Sequence, residues 1–179
     1  SGIAGDFGAA LATGTLGRVA VHKGYSPLPG WAQRVKPTVV AASYSGNTEE
    51  TLDLVEAAAT AGLPIVTVTT GGRLAELSAR HAWPTIAVPA GLQPRAAVGY
   101  LAGALARLLN TLGVVPDQTA ALDEAADLVD AATTEGSETW DMAQGLAKAL
   151  VGRVTVVYGG GPISSTAAQR WKTQINENA

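Results

Sequence analysis

The chain contains no cysteine. That excludes a disulfide scaffold, a thiolate nucleophile and a cysteine zinc site, and it fits a cytoplasmic protein. Aromatic side chains supply only 5% of the 179 residues, with a single Phe. The core must therefore come from Ala, Val and Leu, small residues that favour close helix–sheet packing. Charged residues are 15% and the formal net charge is −3, with no long basic run. Nucleic acid is not expected as a partner, although a small basic site can still hold one phosphate. No apolar run reaches the ~20 residues of a membrane helix, and no signal peptide is visible. His22 and His81 stand alone, without the spacing to a second His or an acidic pair that a metal needs. The chain opens on Ser1-Gly2-Ile3 without an initiator Met, so a natural start ahead of Ser1 is expected.

What is present is a globular composition, 47% hydrophobic, with length for one domain or one domain and part of the next. Residues 1–15, rich in Gly and Ala, read as a loop entering a short helix. Val19–Val21 is a short β-prone run. Thr38–Ala42, Pro64–Thr69 and Thr85–Val88 read as strands, and Thr48–Ala61, Leu74–His81 and Arg95–Leu112 as helices. Strands alternating with helices at short spacing predict parallel βαβ units in a doubly wound α/β sheet of about five strands. After a linker at 113–118, helices are expected near 119–132 and 139–150, then a strand at Arg153–Tyr158, a Gly159-Gly160-Gly161-Pro162 turn and a helix at 163–178. That tail repeats the strand–glycine loop–helix theme of the front, as the opening of a second, similar domain.

The sharpest local feature is Ser43-Tyr44-Ser45-Gly46-Asn47-Thr48-Glu49-Glu50-Thr51, set between a buried strand and a helix. Free N–H groups at a helix start, the helix dipole and the hydroxyls of Ser43, Ser45 and Thr48 suit a phosphate. Gly46 permits a tight turn. With no Lys, the loop is not a Walker A nucleotide loop. Plain helix capping is the competing reading, because Ser, Thr and Asn cap helices commonly. A capping box opened by Thr48 is incomplete, since Thr51 stands where Glu or Gln belongs. The Gly159–Gly161 turn is not a dinucleotide fingerprint, since Ser164 occupies the third glycine position.

Four segments, in order, carry a family resemblance. Ser43–Thr51 resembles the phosphosugar loop of sugar isomerase (SIS) domains. Gly91-Leu92-Gln93-Pro94-Arg95-Ala96-Ala97-Val98-Gly99-Tyr100 resembles the signature of bifunctional phosphoglucose/phosphomannose isomerases. Ser1–Asp6 is similar to the end of that family's first glycine-rich loop, and Arg170–Ala179 to its catalytic-base segment. The resemblance implies an SIS-type fold, with an SIS domain at 1–113, a helical linker at 114–152 and the start of a second SIS domain at 153–179. It implies interconversion of glucose 6-phosphate and mannose 6-phosphate with fructose 6-phosphate through a cis-enediol(ate), in a cytoplasmic homodimer. Ser1, Ser43, Ser45 and Thr48 would contact the phosphate, Arg95 would stabilise enediolate charge, and Glu177 would be the base, its pKa raised by partial burial. No cofactor or metal is implied, because the adjacent carbonyl already acidifies the C2 proton. The family's ring-opening His and a late Lys fall beyond Ala179, and neither His22 nor His81 matches a motif position. A longer parent protein is therefore expected. A non-catalytic phosphosugar-binding SIS module is the alternative, since a fold does not decide function.

Overall fold

The computed structural model describes residues 2–15 and 17–178. Helix α1 (Gly2–Leu11) and a short α2 (Ala32–Val35) precede β1 (Val39–Ala42), α3 (Glu49–Thr60), β2 (Ile65–Thr69), α4 (Gly72–His81) and β3 (Thr85–Ala87). A single 3₁₀ turn, Pro94–Ala96, leads into α5 (Val98–Thr111). Helices α6 (Thr119–Thr133), α7 (Glu138–Leu150) and α8 (Pro162–Asn178) complete the chain.

The three strands form a parallel sheet in the order β1-β2-β3, with Val39 opposite Ile65 and Thr67 opposite Thr85. Successive strand residues point to opposite faces. Ala41 and Ile65 meet Leu52, Val55 and Ala58 of α3 and Leu74 of α4 on one face. Val68 meets Ala4 of α1 and Leu101 and Leu105 of α5 on the other. Helices on both faces of a parallel sheet make the unit doubly wound, as the alternation of elements predicts. Removing side chains such as Val55 and Leu74 from water contributes roughly 1.5–3 kcal/mol each. Helix α3 stops where Gly62, at φ 68°, lets the Leu63 N–H turn back to the Ala58 carbonyl (3.0 Å) and the Gly62 N–H reach Ala59 (2.9 Å). Polar positions in this core are matched: Thr67 Oγ1 lies 2.8 Å from Ser78 Oγ and 2.9 Å from Thr85 Oγ1.

Expectation and structure part at the sheet's extent. Among the described residues there are three strands, not five. Neither Val19–Val21 nor Arg153–Tyr158 joins a ladder. The second of these nonetheless alternates in exposure: Thr155 and Val157 are half-buried, while Val154 and Tyr158 are 95% and 91% exposed. It has a strand's period but no neighbouring strand to take its N–H and C=O groups. Helices α6 and α7 pack on each other, and neither buries a residue. Helix α8 lies along α1 and leaves Ile163 and Trp171 exposed. No helix among the described residues is long and apolar enough to cross a membrane.

Candidate functional site

Strand β1 delivers Ser43 straight into the loop. The Ser43 N–H still donates to Val68 O at 3.0 Å, extending the ladder by one residue, and the side chain is 1% exposed. Its Oγ accepts from the Gly46 N–H at 3.2 Å and lies 2.8 Å from Thr48 Oγ1. Gly46 is required twice over. Its φ is 69°, and a Cβ there would stand 1.8 Å from the Gly71 carbonyl oxygen. The β1–α3 loop is thus pressed against the β2–α4 turn with no space between them.

That contact treats the two helix starts differently. At α4, Arg73 N–H donates to Asn47 Oδ1 at 3.0 Å and Leu74 N–H to Gly46 O at 2.9 Å. The first turn of α4 is therefore capped by the neighbouring loop. At α3, Thr48 sits in the N-cap position, yet its side chain makes no capping bond and faces Ser43 instead. The N–H groups of Glu49 and Glu50 find no acceptor among the described residues. Of the two readings open in the sequence, capping by Thr48 is not what this loop does. The start of α3 keeps free donors and the positive end of its dipole. Ser45 is exposed beside them, its Oγ accepting from the Asn47 N–H at 3.3 Å.

Glu49, in the first turn of α3, is held by a neighbour. Tyr25 Oη donates to Glu49 Oε2 at 3.2 Å. That bond, with the charge of Glu50 beside it, pushes the Tyr25 phenol above its ordinary pKa.

The segment leading to Arg95 is tied to the loop through Tyr44. The Tyr44 hydroxyl donates to Pro89 O at 2.9 Å and accepts from the Leu92 N–H at 3.0 Å. This buried phenol pins the segment that turns into Pro94–Ala96, where Arg95 is half-buried. Helix α8 arrives from the other side, with Arg170 Nη2 donating to the Arg95 carbonyl. Glu177 lies in the last turn of α8 and is exposed, so the partial burial expected for a base is not provided by the described residues. Ser1 lies outside the described residues. Ser43, Ser45 and Thr48 thus share one loop with Arg95 tied to it, whereas Glu177 is on a helix that touches the Arg95 segment without being enclosed.

Sequence reasoning passed over the roles of Tyr44 and Asn47. Tyr44 carried a signal, a large aromatic inside a polar loop of an aromatic-poor chain. Asn47 carried none, because the helix it caps lies 25 residues on in the chain. No three His, Asp or Glu side chains gather as a metal-ligand set among the described residues. An open groove of about 440 Å³ between residues 155–159 and α8 is lined by Tyr158, Gln169 and Lys172 among others and shares no residue with the loop.

The family described as bacterial phospho-glucose isomerase C-terminal SIS domain matches residues 140–179. A bifunctional phosphoglucose/phosphomannose isomerase of Caldicellulosiruptor bescii is 36% identical over 165 residues, covering 90% of this chain and 48% of that protein. One of the same name from Thermoplasma acidophilum is 40% identical over 140 residues, 78% of this chain and 41% of its own. A D-glucosamine-6-phosphate 4-epimerase of Sulfolobus acidocaldarius is 34% identical over 145 residues, 80% of this chain and 45% of its own. The chain spans about half the length of the curated relatives it matches. A parallel sheet wound on both faces and a serine loop opening onto an uncapped helix accompany these matches, by which residues 140–179 resemble an SIS domain and most of the chain is similar to part of the bifunctional phosphoglucose/phosphomannose isomerases.

Proposed function

We propose that the protein carrying this chain interconverts glucose 6-phosphate and mannose 6-phosphate with fructose 6-phosphate. The observation that carries the reading is the uncapped start of α3, whose free N–H groups and adjacent hydroxyls offer an anion site in a chain whose relatives are named as phosphosugar isomerases. In this reading Ser45, Thr48 and the N–H groups of Glu49 and Glu50 hold the phosphate, and Ser1 joins them. Ser43, with its hydroxyl already engaged, sets Thr48 as well as binding.

The chemistry follows from the sugar. In the open aldose the C1 carbonyl acidifies the C2 proton. Glu177 takes that proton, the C–H electron pair forms the C1–C2 double bond, and Arg95 stabilises the oxyanion on the cis-enediolate. Once a proton has passed from O2 to O1, so that the negative charge lies on O2, return of the Glu177 proton to C1 forms the C2 carbonyl and gives the ketose. Glucose- and mannose-configured substrates differ only at C2, so both pass through one enediolate. A carboxylate works best as this base when it is withdrawn from water, and exposed Glu177 therefore needs cover in the working site. Residues 1–113 are read as the phosphosugar-binding SIS domain, 114–152 as a linker and 153–179 as the start of a second SIS domain, in a homodimer.

Exposure of Glu177 favours one rival, a phosphosugar-binding module without turnover. The epimerase relative also warns that a similar half-chain accompanies another reaction name. The deciding experiment measures fructose 6-phosphate formation from both aldoses by the full-length protein, with Glu177→Gln alongside. The expected result is turnover of both sugars, falling roughly 10²–10⁴-fold in Glu177→Gln while sugar-phosphate binding persists. Undiminished turnover in that variant removes Glu177 as the base. Binding without turnover in the unsubstituted protein establishes the module.

A further inference from the structure

Arg170 is not among the residues the proposed mechanism uses, yet among the described residues it makes the one hydrogen bond that joins α8 to the segment bearing Arg95. Its Nη2 donates to the Arg95 carbonyl oxygen. No backbone N–H among the described residues takes that carbonyl, because the turn at Pro94–Ala96 closes its bonds on Gln93 O and Pro94 O instead. A guanidinium on a neutral carbonyl is a charge-assisted bond and stronger than an ordinary one. It is not an ion pair: among the described residues the sole salt bridge is Lys23 with Asp6, so neither Arg95 nor Arg170 has a carboxylate partner.

The geometry of α8 gives this contact a consequence. Arg170, Thr173 and Gln174 are half-buried along one stripe of the helix, and Glu177 continues that stripe. Residues seven apart stand nearly in line, about 10 Å from each other at 1.5 Å per residue. Packing along α1 seats the helix, and the Arg170 bond adds a second fixed point that ties its rotation and its position along its axis to the Arg95 segment. Those are the two coordinates that decide where the Glu177 carboxylate points.

We propose that Arg170 is a positioning residue for isomerisation: by anchoring α8 to the Arg95 carbonyl it places the Glu177 carboxylate against the sugar carbons beside the Arg95 guanidinium. The proposal rests on the isomerase reading. It separates two sets of groups. In that reading loop 43–48 holds the phosphate, and among the described residues it shares no hydrogen bond with Arg170. The proton-transfer pair depends on Arg170 for its mutual placement. A displacement of about 1 Å between base and carbon can cost on the order of 10²-fold in rate.

The test uses the full-length protein with Arg170→Met and Arg170→Lys, measuring kcat, the Kd for fructose 6-phosphate by calorimetric titration, and Tm. Expected for Arg170→Met is a kcat about 100-fold lower with Kd within about twofold, since the phosphate loop is untouched. Arg170→Lys retains one charged donor and is expected to recover about tenfold of that loss. Should the Met variant not fold, the Lys variant decides, with a kcat about tenfold down at unchanged Kd in support and a full kcat against. An unchanged kcat in Arg170→Met overturns the proposal. So does a parallel fall of kcat, affinity and Tm without recovery in Arg170→Lys, which marks a merely structural contact. Absence of turnover in the unsubstituted protein is a separate result, seen before any variant is made, and removes the isomerase reading and this proposal with it.

Discussion

Two regions of this molecule are written in the same residue types and end differently. In residues 2–115 the apolar stripes of α3, α4 and α5 close on a sheet, and Leu74 is 0% exposed. In residues 119–161 the helices α6 and α7 are as regular, but Leu128 is 67% exposed and nothing on either helix is buried. Local propensity and caps suffice to form a helix, as where Ser137 Oγ accepts from the Trp140 N–H at 3.1 Å at the start of α7. Stability comes from burying its apolar face, which the first region does and the second leaves undone.

Matched substitutions sharpen the contrast, the glycines most of all. Gly46→Ala meets a backbone carbonyl at a positive φ, while Gly136→Ala, at φ 82°, meets nothing within 4 Å. The first should cost about 4 kcal/mol, strain and overpacking together, and abolish the phosphosugar binding proposed for this loop. The second should cost about 1 kcal/mol, from the left-handed backbone alone. Denaturant midpoints of the two variants read the difference, and equal losses would mean that the loops at 46 and 71 are not in contact.

Leucines give the next largest effect. Leu74→Ala empties a closed core and should cost about 3 kcal/mol, whereas Leu128→Ala should stay within about 0.5 kcal/mol. Hydrogen exchange should follow the same division, with amides of α6 and α7 exchanging well before those of β2 and α3. Protection of α6 equal to that of α3 would show that its apolar face is covered in solution.

The smallest effect is a pH response at the border of the two regions. Asp117 Oδ1 accepts from Thr119 N–H at 3.0 Å and from Thr119 Oγ1 at 2.7 Å, which lowers its carboxyl below the ordinary aspartate range. A depressed carboxylate contributes above its unfolded pKa and loses that contribution as pH falls through the folded value. The start of α6 should therefore loosen only in strong acid, and the β sheet should not respond with it. Thr119 and Thr67 amide shifts followed by NMR from pH 6 down to pH 2 check this. A Thr119 transition at or above the usual aspartate pKa sinks the capping bond.

The legibility of the sequence follows the same line. The strands at 39–42, 65–69 and 85–87 and the helices around them lie within a few residues of expectation, because period and glycine stops are local signals. Arg153–Tyr158 has the alternation of a strand but finds no ladder partner among the described residues, which no stretch of six residues can announce. The loop at 43–51 was legible as a set of hydroxyls, but not as a choice between a capped and an open helix start. That choice turned on where the Thr48 hydroxyl points, toward Ser43 rather than the first turn of α3.

By itself, then, the sequence determined the winding: alternating apolar runs with Gly46 and Gly62 at the turns, and a serine-rich loop placed after the first strand, all set by bonds within a few residues. Only the tertiary structure decided which helix start stays open. Packing Gly46 against Gly71 brings Asn47 to cap α4 across 26 residues of chain and leaves α3 with free donors. It likewise joined Leu92, three residues before Arg95, to the loop through Tyr44, and Arg95 to α8 through Arg170, across separations of 48 and 75 residues. Contacts so distant form only when hydrophobic burial has already closed the sheet and its helices, and no local pattern encodes them.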